Sequence, residues 1–367
     1  MIIKNFSYID DLKKNYSSIL SSIKKVLHSE TLILGPEVMK FEKNFSKFLG
    51  TKYGIGVGNC TDAIYIALKA LNIKKGDEVI TVANTAIPTI TAIVNTGATP
   101  RFVDVCENYL IDTKKIISAI NKKTRVIIPV HLYGKTCEMK EIIKISKKYN
   151  LKIVEDCAQS TGSSYNGKKS GSFGDVGCFS FYPTKVLGAY GDGGFITTNN
   201  FKLYKKMKRI RFMGIEQKEK AKYFASEHGT NSRLDEIQAS ILNFKLKKIN
   251  QYISDRIKNA NKYYNILKGA KLILPNKEKN KKDVYYEFVV RVKKRSKVLN
   301  NLKKKKIDLK ITYQYPIYKM KPYKKFLTKK LINTEIYSKE IFSLPVYPGI
   351  KNSEIKKICK NLIETIK

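Results

Sequence analysis

Runs at 78–82, 101–105, 126–130 and 152–156 are short and β-branched, the signature of strands buried in a parallel sheet. Between them lie stretches of helical period, such as Ala63, Ile64, Ala67, Leu68 and Leu71, or Ile142, Ile143, Ile145 and Ser146. This alternation predicts an α/β fold with crossover helices. Two more strands are expected at 176–181 and 194–198, joined by a glycine-rich loop, with helices resuming after Asn200. From about residue 250 the pattern changes to a helix at 252–267, a strand at 285–292 and a basic stretch, which reads as a smaller α+β unit. The expected division is a helical segment at 1–48 packing beside that unit, a large domain at 49–250 and a small one at 251–367.

Composition adds a core without a disulfide framework. Of 367 residues 43% are hydrophobic, so burial is ample. Six cysteines, at 60, 106, 137, 157, 178 and 359, show neither CxxC spacing nor histidine pairing, so no metal site is expected. Met1 to Asp10 has no long apolar run after Lys4, which predicts a cytoplasmic protein without a secretory leader. The uncharged run 80–100 carries Asn84, Asn95, Pro88, Gly97 and six threonines, too polar for a bilayer helix. The formal charge of +40 raises the question of nucleic acid. Only eight of the basic residues are Arg, however, and no helix-turn-helix, RNP-type or zinc motif accompanies them.

Three segments carry chemistry. Gly58-Asn59-Cys60-Thr61-Asp62-Ala63 is a turn into a helix that Asn59 or Thr61 can cap, with first-turn N–H groups suited to phosphate. Most capped helices bind nothing, so this segment alone decides little. Val154-Glu155-Asp156 places Asp156 at the carboxyl end of a parallel strand, where ligands of open α/β sheets sit, although a helix cap or salt bridge would look the same. Ser180-Phe181-Tyr182-Pro183-Thr184-Lys185, followed by Gly188 and Gly191-Asp192-Gly193-Gly194, sets one lysine among 63 after a strand and beside a glycine loop. A lysine held there can form a Schiff base, and an acid facing a pyridine nitrogen keeps that nitrogen protonated.

Together with 229–239 (Gly-Thr-Asn-Ser-Arg-Leu-Asp-Glu-Ile-Gln-Ala) and the closing Leu344-Pro345-Val346-Tyr347-Pro348, the chain resembles the DegT/DnrJ/EryC1/StrS family of sugar aminotransferases over about 5–365. The resemblance implies a fold-type I enzyme with a mixed, mostly parallel sheet flanked by helices and using pyridoxal 5'-phosphate (PLP). It implies that Lys185 bonds to the cofactor and shuttles protons, that Asp156 pairs with the pyridine nitrogen, and that Gln159 lies beside the ring or its hydroxyl. Ser180 and the amides of Cys60 and Thr61 should hold the phosphate, with Asn231 reaching over from the second subunit of a homodimer. Partners should be glutamate and a nucleotide-linked keto sugar. A sugar dehydratase of the same fold has histidine in place of the lysine, and Lys185 argues against it. Two positions depart from the family. Ala86 stands where an aromatic usually stacks on the ring, and Gln314 where many relatives carry histidine. The Ala83-Asn84-Thr85 run resembles enzymes that aminate C3 of a dTDP-linked 3-keto-6-deoxyhexose, the alternative being C4 amination of a UDP-, dTDP- or GDP-4-keto sugar.

Overall fold

In the computed structural model, which describes residues 2–216 and 223–366, two helices precede a stretch in which strands and helices alternate. The chain opens with α1 (Ile9–Leu27), α2 (Pro36–Leu49), β1 (Tyr53–Val57), α3 (Cys60–Ala70), β2 (Glu78–Val82), α4 (Ile87–Asn95) and β3 (Thr99–Val103). It continues through α5 (Thr113–Ile116), β4 (Thr124–Ile127), α6 (Met139–Lys148), β5 (Lys152–Asp156), the short β6 (Ser164–Tyr165) and β7 (Lys168–Lys169), β8 (Val176–Ser180) and β9 (Gly194–Thr198). Then come α7 (Phe201–Arg211), α8 (Glu236–Leu246), α9 (Ile249–Leu267), β10 (Lys281–Lys282), β11 (Phe288–Arg291), α10 (Arg295–Lys304), α11 (Ile332–Glu340), β12 (Ile341–Leu344) and α12 (Asn352–Ile366).

Seven strands form one sheet in the order β1-β9-β8-β5-β4-β2-β3. Pairings among β3, β2, β4, β5 and β8 are parallel, and β9 runs antiparallel to both β8 and β1. The expected mixed, mostly parallel sheet is therefore present. Two of the expected runs in this sheet are displaced by two residues at their start, and outside it the strand expected at 285–292 is confined to β11. The run at 101–105 begins pairing at Thr99, which sits opposite Glu78, and its Pro100 is tolerated because β3 is an edge strand. The run at 126–130 starts at Thr124 and loses strand form before Pro129, which has no N–H to give. The uncharged stretch at 80–100 is divided among β2, α4 and the start of β3. Among the described residues no helix is long and apolar enough to cross a membrane.

The C-terminal part is the expected smaller α+β unit, an antiparallel β11–β12 pair with α9, α10 and α12 around Tyr263, Phe288, Leu302, Phe342 and Ile358. Ile3 joins this core and bridges Ile307. Helices α1 and α2 lie instead on α8, whose Glu236 carboxylate accepts the N–H groups of Glu37 and Val38 at 2.9 and 2.8 Å. That contact caps α2, because its N-cap residue Gly35 has no side chain. Below, Phe41 and Phe45 meet Phe179, Phe181 and Phe195 edge-on at centroid distances of 4.9 to 5.6 Å. This aromatic layer, with Val186 and Leu187, is the floor under the loop that carries Lys185.

Candidate active site

Strands β1, β5 and β8 run in one direction, so the turn after Val57, Asp156 and Ser180 all come to the same sheet edge. Asn59, not Thr61, caps α3: its Oδ1 accepts from the Asp62 N–H at 2.9 Å, a contact worth about 1 kcal/mol. The start of α3 leaves the Cys60 and Thr61 amides without a carbonyl one turn back. Gly194 lets β9 press against this turn, since a Cβ there would lie 2.3 Å from the Asn59 carbonyl carbon.

Asp156 is 5% exposed, and both of its oxygens are held. Oδ1 accepts from the Ala158 N–H at 3.1 Å and Oδ2 from the Thr89 hydroxyl at 2.7 Å, with Thr85 3.1 Å behind Thr89. Burial pushes the Cys60 thiol well above its ordinary value; the Asp156 carboxylate adds to this and the Lys185 ammonium opposes it. Cys60 therefore stays a neutral thiol.

Lys185 lies on the loop after β8, its N–H donating to the Tyr182 carbonyl at 2.9 Å. Its Nζ stands 4.5 Å from the Tyr286 ring centroid, and Thr184 meets the Tyr286 hydroxyl at 3.0 Å. A cavity of about 430 Å³ opens beside it, lined among others by Arg256, Glu287, Lys310 and Tyr313. Ser180 accepts the Tyr182 N–H at 3.3 Å. The Gln159 amide is fixed at both ends: its oxygen accepts from the Tyr133 N–H at 2.7 Å and its nitrogen donates to the Tyr313 hydroxyl at 2.9 Å. Tyr133 in turn donates to the Thr312 carbonyl. Burial raises both tyrosines well above their ordinary values, so both remain protonated. Asn84 is 2% exposed, and its amide nitrogen has no acceptor among the described residues.

Lys185, Asp156, Cys60, Thr61, Gln159 and Ser180 thus come to one edge, and Asn231 lies on the separate 229–239 segment. Asn231 is exposed and its side chain makes no hydrogen bond among the described residues. Its neighbour Ser232 braces the turn from within the chain, accepting from the Gly58 N–H at 2.9 Å and donating to Asp62 at 2.7 Å. The donor set fits PLP: helix-start amides and a hydroxyl for a phosphate, a carboxylate for a ring nitrogen, an amine for a carbonyl, and an orphan amide in Asn84.

The DegT/DnrJ/EryC1/StrS aminotransferase family matches residues 14–363. The chain belongs to this family. The aminotransferase is 37% identical to the dTDP-3-amino-3,4,6-trideoxy-alpha-D-glucose transaminase of Micromonospora megalomicea subsp. nigra, with 98% of each chain covered. It is 41% identical to the dTDP-3-amino-3,6-dideoxy-alpha-D-galactopyranose transaminase of Aneurinibacillus thermoaerophilus over 93% of each. The crystal structure of S. venezuelae DesV in complex with a ketimine intermediate superposes with a TM-score of 0.95 at 31% identity, covering 99% of this chain and 98% of that one. The protein is a PLP-dependent sugar aminotransferase of fold type I, and nucleotide-linked sugars are its substrate class.

Several site residues of the aminotransferase have no signature in the sequence. Thr89, Tyr133, Tyr286 and Tyr313 come from separate elements, and only the fold gathers them. A second buried group corrects the reading that no cysteine pairs with histidine: His131, Glu155 and Cys157 lie together, their ligand atoms within 4.8 Å. His131 Nε2 bonds Glu155 at 2.9 Å, and its Nδ1 accepts the Cys137 N–H at 3.1 Å. Glu155 also accepts the Gly171, Phe173 and Gly174 N–H groups at 2.7 to 2.8 Å. This is a hydrogen-bonded post behind Asp156, with both imidazole nitrogens and both carboxylate oxygens engaged. Ala86 is half-buried at the start of α4, and Gln314 is exposed, donating to the Tyr315 hydroxyl at 3.2 Å.

Proposed function

We propose that this aminotransferase moves the amino group of glutamate to C3 of a dTDP-linked 3-keto-6-deoxyhexose, giving the 3-amino-3,6-dideoxyhexose. The observation that carries the reading is Asn84 in the Ala83-Asn84-Thr85 run, a buried amide donor with no acceptor within hydrogen-bond distance among the described residues. A buried donor left unpaired costs roughly 1–3 kcal/mol, and an oxygen of the sugar ring would relieve it. The Ala83 carbonyl accepts from the Ile317 N–H at 3.0 Å, so the run shares a wall with the loop that bears Tyr313. The two transaminases above, both named for 3-amino sugars, support the same position.

When bound, PLP supplies the carbonyl carbon that takes the amino group and a ring that draws off electrons. The Cys60 and Thr61 amides and the Ser180 hydroxyl would hold its phosphate, Asp156 its ring nitrogen, and Gln159 the ring's side. Lys185 Nζ would bond to it and move the proton between substrate and cofactor carbons. The Thr89 and Ala158 bonds keep the Asp156 carboxyl group aimed.

We further propose that 49–250 forms the large PLP-binding domain and 251–367 a small one, that the enzyme works in the cytoplasm, where its six unbridged cysteines are suited, and that it acts as a homodimer. The exposed Asn231 would reach the cofactor phosphate of the second subunit. Activity is accordingly expected to track the dimer fraction in a dilution series followed by sedimentation. Full activity in a demonstrated monomer would contradict the shared site.

The regiochemistry is checked with a panel of 3-keto and 4-keto nucleotide sugars and glutamate, products identified by NMR. With a few sugar contacts of that size, the 3-keto substrate is expected to lead by about a hundredfold in kcat/KM, at ~1.4 kcal/mol per tenfold. Faster turnover of a 4-keto-6-deoxyhexose would overturn the C3 reading and leave the aminotransferase intact.

A further inference from the structure

Among the described residues Lys135, Lys245 and Lys281 have almost fully buried side chains, and Lys281 is paired with Glu138 and Glu278. Lys135 has a carboxylate, Asp283 at 2.7 Å. Lys245, near the end of α8 and 6% exposed, has none within ion-pair distance among the described residues. Its Nζ donates instead to the Gly188 carbonyl at 2.8 Å and stands 3.9 Å from the Tyr190 ring centroid. Both partners belong to the loop that follows Lys185.

That loop is a tight curl. Gly188 folds back on Pro183 so closely that a Cβ would lie 2.5 Å from the Pro183 carbonyl oxygen. The mouth of the curl is closed by the Ala189 N–H on the Phe181 carbonyl at 2.7 Å. Behind it lies a cavity of about 40 Å³, lined on one side by Lys185 and Gly188 and on the other by Lys245, Asp11 and Tyr252. The charged and titratable groups around Lys245 are Tyr8 just before α1, Asp11 from α1, Tyr252 and Arg256 from α9, and Tyr190 and Lys185 from the loop itself. Asp11 is engaged elsewhere, accepting from Tyr252 at 3.0 Å and Asn15 at 2.9 Å. Burial brings Lys245 down to about 8, with Asp11 opposing. At neutral pH the side chain is thus a charged group held out of water, which favours the unfolded chain. An apolar side chain of similar length would not carry that cost.

We infer that Lys245 is a positioning residue, its buried ammonium pinning the Gly188 carbonyl and so fixing the curl that presents Lys185 at the cofactor edge. The inference rests on the reading of Lys185 as the cofactor lysine.

Lys245→Met and Lys245→Gln are compared with wild type as apoproteins at neutral pH. The expected result for Lys245→Met is an unchanged or higher melting temperature. Amide hydrogen exchange across 182–190 should be faster by about tenfold while exchange across 152–156 is unchanged, and covalent attachment of added PLP, trapped by borohydride, should be slower by about tenfold. Lys245→Gln keeps an N–H donor and should fall between; if the methionine variant does not fold, this variant decides by the same measurements. Wild-type exchange across 182–190 with wild-type attachment overturns the inference. A lowered melting temperature with faster exchange everywhere overturns it too, as the sign of a merely structural role. Wild-type protein that attaches no PLP would sink the cofactor reading, while the exchange data still judge the clamp.

Discussion

Lys185→Ala is expected to abolish turnover, with a loss of about 10⁴-fold or more, or ~5.5 kcal/mol of barrier. The amine can both bond a carbonyl and carry a proton to and from carbon. Truncating it should leave the fold intact. The loop is held through its backbone, by the Lys185 N–H on Tyr182 at 2.9 Å and the Ala189 N–H on Phe181 at 2.7 Å, and through Lys245. The side chain itself only overlies the Tyr286 ring. PLP should still bind without a covalent bond, because the α3 amides, Ser180 and Asp156 are untouched. The check is single-turnover kinetics with glutamate beside a melting curve. Wild-type rates in a correctly folded Lys185→Ala protein would refute the role.

The second large effect is expected at Asp156. A carboxylate beside a pyridine nitrogen favours the protonated ring by charge pairing, and the protonated ring is the better electron sink. Asp156→Asn removes the charge and keeps the shape. The new amide can be accommodated, because Thr89 shares a hydrogen bond with Thr85 at 3.1 Å and its hydroxyl can turn to accept. A loss of roughly two to four orders of magnitude in kcat follows, at ~1.4 kcal/mol per tenfold, with modest loss of PLP. Titration of bound PLP and steady-state kinetics on the same preparation separate the two effects. Near-normal kcat with full cofactor occupancy would remove Asp156 from the chemistry.

Much of the sheet was legible because its central strands are largely buried and rich in Val and Ile, in short runs set between helical stretches. Strand β1 was not, and the reason is local. Its Tyr-Gly-Ile-Gly-Val carries two glycines, which weaken strand propensity. Gly54 is required by packing, since a Cβ would lie 2.2 Å from the Ser46 hydroxyl and 2.4 Å from the Phe195 ring. Pro129 and Pro100 shifted strand ends for the opposite reason, a missing donor whose effect depends on which neighbour is paired. In the site, Asp156, Lys185 and the 58–63 turn stand out because strand ends and glycine loops mark them in the chain. Their orienting partners do not. Thr89 is 67 residues from Asp156, and Tyr313 is 154 from Gln159. One threonine or tyrosine among many has no pattern until a crossover brings it to the sheet edge. Lys245 was hidden by composition, as one of 63 lysines whose burial only the packing of α8 on the loop discloses.

The claim beneath all of these effects is that one particular amine bonds the cofactor. Wild-type protein loaded with PLP, reduced with borohydride, digested and mapped by mass spectrometry tests it directly. The added pyridoxyl mass is expected on the peptide containing Lys185 and on no other of the 63 lysines. The same mass on a different lysine, or on none while the enzyme is active, would contradict the account.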